Sequence, residues 1–127
     1  MSKVPDELLY SEEHLWVEWT DDVVTVGLTD YAQQEMGDTV FVELPALDET
    51  FSRLDVFGTM EAVKAVSELF SPIGGVVLAT NPRLAKEPEL INTDPYGEGW
   101  LIRLRPKSLP ERDELLGAAE YREHTGE

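Results

Sequence analysis

The feature that most constrains the fold of this chain is a pair of β-prone segments on either side of one lysine, Lys64. Before it, apolar and polar side chains alternate with a period of two over residues 54–62, interrupted only by Gly58. After it, the breaker-rich residues 71–75 precede a short β-prone run at 76–80. Two extended arms can pair their backbone groups across a tight reversal. The pattern therefore predicts a strand, a turn that carries Lys64, and a returning strand.

A helix over residues 60–70 is the alternative. This segment is rich in good helix formers, and Lys64 lies three residues after Glu61 and four before Glu68, spacings at which opposite charges attract on a helix surface. No Asn-Gly or Asp-Gly pair marks a two-residue hairpin turn here. In this alternative Lys64 is a solvated surface charge, and local propensity alone does not exclude it.

The length and the net charge limit which architectures and which partners are possible. At 127 residues the chain is long enough for one domain with a single core. The chain has 10 Lys and Arg residues and 26 Asp and Glu residues, so its formal net charge is −16. A surface this negative is repelled by nucleic acid and by anionic lipid headgroups, whereas it attracts positively charged protein surfaces. We therefore expect protein partners, and neither a nucleic-acid nor a membrane partner.

Residue types that carry chemistry are sparse. The chain has no cysteine, which excludes disulfides, a thiol nucleophile and thiolate metal ligands, so any redox thiol would come from a cofactor. His14 and His124 are the only histidines and lack the spacing of a zinc site, so no metal site is predicted. No phosphate-binding loop, nucleophile elbow or dinucleotide fingerprint is present, so no catalytic residues are predicted. Without an apolar signal core or a membrane-length apolar run, the chain is expected to be cytoplasmic.

Periodicity and turn chemistry predict a mainly β chain with short helices. Besides the two arms, the segments predicted as strands are 15–19, 23–27, 38–44 and 100–105. The segments predicted as helices or helical turns are 30–36, 83–86, 89–92, 111–116 and 118–124. Thr29 is the predicted N-cap of the first helix and Gly37 its C-terminal stop. About one third of the residues are expected in strands, more than in an average globular domain.

Six short blocks, in this order along the chain, together resemble the glycine cleavage system H protein family. They are His14-Leu15-Trp16, residues 27–33, residues 37–45, Glu61-Ala62-Val63-Lys64-Ala65, residues 71–75 and residues 92–100. The resemblance implies a mainly β, barrel-sandwich hybrid fold of two small antiparallel sheets, with short peripheral and C-terminal helices. It also implies a monomer with a single domain over residues 1–127, in which residues 109–127 form a C-terminal helical extension.

The resemblance further implies that Lys64, at a hairpin tip, carries lipoic acid. In this role the protein is a carrier of glycine catabolism and one-carbon metabolism, and not an enzyme. It takes the aminomethyl group of glycine from the PLP-dependent glycine decarboxylase to the tetrahydrofolate-dependent aminomethyltransferase, and dihydrolipoyl dehydrogenase reoxidises the lipoyl dithiol. Lipoate-attaching enzymes load the lysine, because a free lysine amine is protonated at pH 7 and does not acylate itself.

Three further residues match positions that, by resemblance, help the lipoylating enzyme to recognise the hairpin: Glu61, Glu68 and Gly75. Without such a role, the two glutamates would be solvated charges on the two strands, and Gly75 would be a turn glycine. Aromatic residues bury large areas, so packing around the core is their expected role here. The residues concerned are His14, Trp16, Tyr96 and Trp100.

The chain departs from the family near the site, and these departures keep other functions open. Leu15 replaces a usual Glu, which removes a carboxylate expected near the loaded arm, and Asp48 replaces a usual Gly, which is tolerable because Asp can adopt positive φ. Leu15 is the reason to consider an H-like protein that stores or relays lipoyl groups for other complexes. A biotinyl carrier is less favoured, because Val63 and Ala65 stand where biotin sites usually set Met. A non-carrier acidic β domain would require all six blocks to be coincidental.

Overall fold

The computed structural model describes residues 2–127, which form nine β-strands in two antiparallel sheets with short helices around them. The strands are β1 Leu9–Tyr10, β2 Leu15–Thr20, β3 Val23–Leu28, β4 Thr39–Glu43, β5 Thr50–Phe51, β6 Val56–Ala62, β7 Val66–Phe70, β8 Gly75–Thr80 and β9 Ile102–Pro106. The helices are α1 Asp30–Met36, α2 Leu90–Thr93 and α3 Ala118–Thr125, with 3-10 turns at Pro82–Ala85 and Leu109–Glu114. None of the described helices has the length and apolar character needed to cross a bilayer.

The two sheets enclose the main core. The large sheet has the strand order β1-β2-β3-β9-β8-β5, and the small sheet has the order β4-β6-β7. Val26 of β3 and Leu104 of β9 face the core from the large sheet, and Met60 of β6 and Leu69 of β7 face it from the small sheet. Burial of each such side chain contributes about 1.5–3 kcal/mol. The predicted mainly β fold of two antiparallel sheets is confirmed.

The N-terminal hairpin and α1 form where the sequence predicted them. Strands β2 and β3 pair over their whole length across an acidic turn, in which Asp21 takes a φ of 54°. The Thr29 hydroxyl accepts a hydrogen bond from the amide of Ala32 at 3.2 Å and caps α1. Gly37 ends the helix with a φ of 81° and donates to the carbonyl oxygen of Gln33. Local sequence signals therefore define both ends of α1.

Helix α3 packs on a second, smaller cluster of buried residues. Its members are Val4, Leu8, Tyr10, Trp16, Ala118 and Tyr121. The rings of Tyr10 and Tyr121 stack with their centroids 4.7 Å apart. Tyr96 and Trp100 pack against the cluster, so the packing role predicted for these two residues and for Trp16 is confirmed. The cluster ties the C-terminal helix to the N-terminal segment of the chain.

Several local predictions are wrong in detail. Residues 60–70 do not form a helix, and the strand that returns from Lys64 is β7, whereas residues 76–80 belong to β8 of the large sheet. The Pro and Gly residues at 71–74 separate β7 from β8, so the second arm is shared between the two sheets. Strand β9 begins at Ile102, because Trp100 still belongs to a turn in which its amide donates to Gly97. Residues 109–114 form a 3-10 turn, with a proline in its first positions, in place of the predicted helix.

Candidate attachment site and adjoining cleft

Lys64 lies at the tip of the hairpin formed by β6 and β7. The amide of Ala62 donates to the carbonyl oxygen of Ala65 at 2.8 Å and closes the turn, directly beyond the last cross-strand pair, Glu61 and Val66. The side chain of Lys64 is exposed. Strand β6 is paired on both sides, with β4 and with β7. The tip therefore presents one amine to solvent from a well-supported element.

Two backbone hydrogen bonds fix this tip to the connection between α1 and β4. The amide of Val63 donates to the carbonyl oxygen of Asp38 at 2.9 Å, and the amide of Lys64 donates to the carbonyl oxygen of Met36 at 3.0 Å. These bonds satisfy two donors of the turn that the hairpin itself does not pair. The backbone of Lys64 is thus held in place, while its side chain stays free to react.

Gly37 lies directly against the aliphatic stem of Lys64. Its φ of 81° and ψ of −168° fall in a region that is open essentially only to glycine. A Cβ atom added to Gly37 would lie 3.2 Å from Cγ and 3.4 Å from Cδ of Lys64. Glycine at this position therefore both ends α1 and leaves room for the lysine stem. The sequence predicted only the first of these roles.

Asn92 of α2 clamps the same α1–β4 connection. Its Oδ1 accepts a hydrogen bond from the amide of Thr39 at 2.8 Å. Its Nδ2 donates to Gln33 Oε1 and to the carbonyl oxygen of Gly37, both at 2.9 Å. One side-chain amide thus satisfies groups on α1, on the connection and on β4. Asn92 supports the segment that in turn holds Lys64.

A cleft of about 260 Å³ opens beside the hairpin, between α1 and β7. Its apolar lining is Leu28, Ala32, Met36, Met60 and Leu69. Its polar lining is Glu13, His14, Tyr31, Glu35, Ser67 and Glu68. Glu13 and Glu35 therefore set two carboxylates beside an apolar floor, an arrangement that suits a ligand with an apolar chain and a cationic end.

A chain of hydrogen bonds holds the imidazole of His14 at this cleft. His14 Nδ1 lies 2.8 Å from the hydroxyl of Tyr121, which lies 2.7 Å from Thr29 Oγ1. Burial of the ring lowers the pKa of His14 from its ordinary value of 6.5, and the nearby His124 lowers it further. The ring is therefore neutral at pH 7. Thr29 Oγ1 also accepts from the amide of Ala32, so the same hydroxyl joins the cap of α1 to this chain of hydrogen bonds.

The structure brings two of the three predicted recognition residues to the hairpin. Glu61 lies on β6 and Glu68 on β7, and both side chains are exposed. Gly75 lies instead in β8 of the large sheet, where it is buried. A Cβ atom on Gly75 would lie 2.7 Å from the carbonyl oxygen of Arg105, so glycine is needed there for close strand packing, and the alternative of a turn glycine is wrong.

Leu15 does not line the cleft. Its side chain is 1% exposed in the main core, where it pairs with Leu28 across β2 and β3. Glu13 and Glu35 supply carboxylates at the cleft, and the sequence did not single them out. No local pattern could have done so, because the cleft forms only when α1 packs beside the hairpin. Asp48 takes a φ of 68°, as its replacement of glycine required.

Comparisons with known proteins agree with this geometry. The family model described as "Glycine cleavage H-protein" matches residues 8–127. The glycine cleavage system H protein of Bacteroides fragilis is 48% identical over 118 residues, which cover 93% of this chain and 94% of that protein. The H protein of Staphylococcus haemolyticus is 45% identical over 124 residues, which cover 98% of each chain.

A solved structure shows the same architecture. The crystal structure of a glycine cleavage system H protein from Mycobacterium marinum superposes with a TM-score of 0.89 at 37% sequence identity. The match covers 98% of this chain and 100% of the Mycobacterium marinum chain. Sequence and fold agree over nearly the whole length, and the chain belongs to the glycine cleavage H-protein family.

Proposed function

We propose that this chain is the lipoyl-carrying shuttle protein of the glycine cleavage system, with lipoic acid joined as an amide to Nζ of Lys64. The observation that carries the proposal is the placement of Lys64, an exposed amine at a hairpin tip whose backbone is fixed to Met36 and Asp38. Membership of the H-protein family supports it. The chain has no cysteine of its own, so disulfide chemistry must be supplied by a group attached to it.

The hairpin around Lys64 suits a lipoyl arm. When bound, the lipoyl group supplies a disulfide that takes up the aminomethyl group of glycine at the PLP-dependent glycine decarboxylase and gives it up at the tetrahydrofolate-dependent aminomethyltransferase. The hairpin presents the arm, and catalysis belongs to those enzymes, to dihydrolipoyl dehydrogenase and to the lipoate-attaching enzymes. The fixed backbone at Lys64 lowers the entropy lost when the tip enters a partner's active site.

The cleft beside the hairpin supports protection of the cargo between enzymes. Glu13 and Glu35 attract a cationic amine, while Met60 and Leu69 provide an apolar wall that excludes water. The carboxylate missing at Leu15 is thereby supplied from other positions. For this reason we favour the glycine cleavage shuttle over a protein that only stores or relays lipoyl groups. The family match likewise favours a lipoyl over a biotinyl arm.

We also propose that the whole chain acts as one unit. Residues 109–127 form its helical extension, and Tyr121 in this extension reaches both the small cluster and His14 at the cleft. The extension therefore supports the cleft through the hydrogen bond from Tyr121 to His14.

Intact-mass measurement of the protein purified from its native source tests attachment. We expect a mass raised by one lipoyl group, and we expect Lys64→Arg to abolish the increase. Lys86→Arg is the matched control, because Lys86 is also exposed but lies outside the hairpin, in the segment before α2. An unmodified Lys64 in cells that lipoylate their other lipoyl proteins would refute the proposal.

Complementation tests the role in glycine cleavage. The unsubstituted chain should restore glycine cleavage to a strain that lacks its own H protein, and Lys64→Arg should not. A chain that is lipoylated but fails to restore cleavage would point to the storage or relay function.

A further inference from the structure

Three neighbouring strands of the large sheet contain no acidic residue. They are β3, β9 and β8, which lie side by side in the strand order. The chain has 26 Asp and Glu residues against 10 Lys and Arg residues, so three adjacent strands without a carboxylate stand out. Val24, Leu104 and Val77 lie opposite one another in these strands and face the core. The residues that alternate with them therefore point away from the core and from the small sheet.

Basic side chains form a stripe along this outer face. Arg103 and Arg105 alternate with buried residues of β9, and both are exposed. The amide of Lys107 donates to the carbonyl oxygen of Gly74 at 3.0 Å, so the pairing continues beyond β9 and the exposed Lys107 follows the same alternation. Alternate residues of a strand lie about 7 Å apart. We refer to Arg103, Arg105 and Lys107 as the basic stripe.

The basic stripe has no acidic partner of its own. The ion pairs formed among residues 2–127 all involve Arg83, in the 3-10 turn after β8. In the row that contains Arg103, the acidic residue is Glu18 of β2, which lies beyond Thr25 and therefore about 10 Å away across two strands. Cations left without a partner on an otherwise acidic chain fit carboxylates supplied by another molecule.

Contacts within the chain hold Arg103 ready for such a partner. Its Cζ atom lies 4.2 Å from the centroid of the Trp100 ring, and its Nε donates to Thr25 Oγ1 at 3.4 Å. A guanidinium that is already stacked and hydrogen-bonded loses little side-chain freedom when a carboxylate binds it. Arg103 therefore presents a fixed charge at one end of the stripe.

The surroundings of the stripe favour a protein over other anionic partners. Arg105 pairs with Val76 of β8, and Leu78, at the bulge in the same strand, is 39% exposed. Aliphatic side chains between cations suit a protein surface. Single-stranded nucleic acid needs aromatic rings for base stacking, and β3, β8 and β9 contain none. The net charge of −16 also repels nucleic acid and anionic lipid at longer range.

We propose that the basic stripe docks an extended acidic segment of an enzyme that acts on the loaded arm. Carboxylates at alternate positions of that segment pair with Arg103, Arg105 and Lys107, because alternate side chains of an extended chain point the same way with the same spacing of about 7 Å. The proposal rests on the proposed function, since it takes the chain as a lipoyl carrier. It adds a second contact surface, on the sheet that does not carry Lys64.

The position of the stripe determines what docking there does. The stripe points away from the small sheet, so a bound segment leaves the hairpin and its arm uncovered. An extended segment can reach round the carrier to this face, whereas a rigid surface that receives the arm cannot. Binding at the stripe holds the arm at a high effective concentration near the active site. Loss of the stripe should therefore raise KM for the carrier and leave kcat unchanged.

Steady-state kinetics of the lipoyl-loaded full chain tests this proposal with glycine decarboxylase, aminomethyltransferase and dihydrolipoyl dehydrogenase in turn. For Arg105→Glu we expect KM for the carrier to rise about tenfold, with kcat unchanged, in at least one of the three reactions. Arg105→Lys keeps the charge and should recover most of the loss. Lys86→Glu is the matched control, because it changes the net charge by the same amount at an exposed lysine outside the stripe, and it should leave KM unchanged.

Competing peptides test the predicted form of the partner. A synthetic peptide of alternating Glu and Thr should raise KM for the unsubstituted chain towards that of Arg105→Glu. A peptide of the same composition with its Glu residues in one block should compete much less, because its carboxylates lack the spacing of the stripe. Equal competition by the two peptides would overturn the extended segment, and stronger competition by oligothymidylate would overturn a protein partner.

The outcomes separate this proposal from the proposed function. If the unsubstituted chain is not lipoylated, or if the three enzymes do not turn it over, the proposed function fails. If they do, and Arg105→Glu matches Lys86→Glu in all three reactions, only the docking proposal fails. Thermal midpoints within a few degrees of the unsubstituted chain would show that the variants are folded.

Discussion

The backbone amide of Lys64 donates a hydrogen bond to the carbonyl oxygen of Met36, with nitrogen and oxygen 3.0 Å apart. Met36 is the last residue of α1, so the lysine is tied to a helix end 28 positions earlier in the chain. The helix end, the glycine after it and the clamp from Asn92 together determine where Lys64 is presented. The predictions below test parts of this arrangement.

Gly37→Ala should both destabilise the fold and disturb Lys64. A side chain at this φ and ψ costs about 1–3 kcal/mol, and the new Cβ would crowd the lysine stem. Urea unfolding measures the first effect, and the rate of Lys64 acylation by a small activated ester measures the second. Gly126→Ala is the control, because Gly126 also has a φ of 81° but has no atom within 4 Å of the added Cβ. It should lose stability with no change at Lys64.

Asn92→Ala should loosen the tip of the hairpin. The substitution removes three hydrogen bonds and leaves the Thr39 amide without its acceptor, at a cost of about 1–3 kcal/mol. Hydrogen exchange should accelerate at the amides of Val63 and Lys64 more than in the β2–β3 hairpin. Uniform acceleration across the chain would mean that Asn92 stabilises the fold in general and does not specifically support the tip.

Stability should depend on pH through His14. Its pKa in the folded chain lies below the ordinary 6.5, so the unfolded chain binds the proton more readily. The free energy of unfolding should therefore fall as the pH decreases from about 7.5 to 5.5, and part of this fall should be absent in His14→Gln. His124→Gln should raise the pKa of His14, which NMR titration of the ring can follow. Identical pH profiles for His14→Gln and the unsubstituted chain would contradict this.

Leu54→Gly should destabilise the protein less than Leu47→Gly does. Leu54 has a φ of 73°, and it is 47% exposed, so relief of the backbone offsets the packing lost with the side chain. Release of a left-handed backbone from a Cβ atom gains about 1–2 kcal/mol. Leu47→Gly is the matched control, since Leu47 is an exposed leucine without positive φ, and it should destabilise by about 0.5–1 kcal/mol. Thermal unfolding of both variants gives the comparison.

The sequence by itself determined the elements whose signals are local. Alternating side chains and an acidic turn specify β2 and β3, and Thr29 and Gly37 specify the ends of α1, because capping and turn chemistry act over a few residues. The family motifs, taken together, pointed to Lys64 and to the two-sheet fold. These predictions needed no knowledge of which segments meet in space.

Only the tertiary structure decided the conformation around Lys64 and the nature of the cleft. Local propensity allowed a helix over residues 60–70, and the hairpin prevails because β6 pairs with β4 and the tip bonds to Met36 and Asp38. Glu35 and Glu13 join the site when α1 packs beside the hairpin, and Gly75 proved to be a packing residue of the other sheet. Contacts between distant segments are set by burial and backbone pairing across the whole chain, so a local sequence pattern does not predict them.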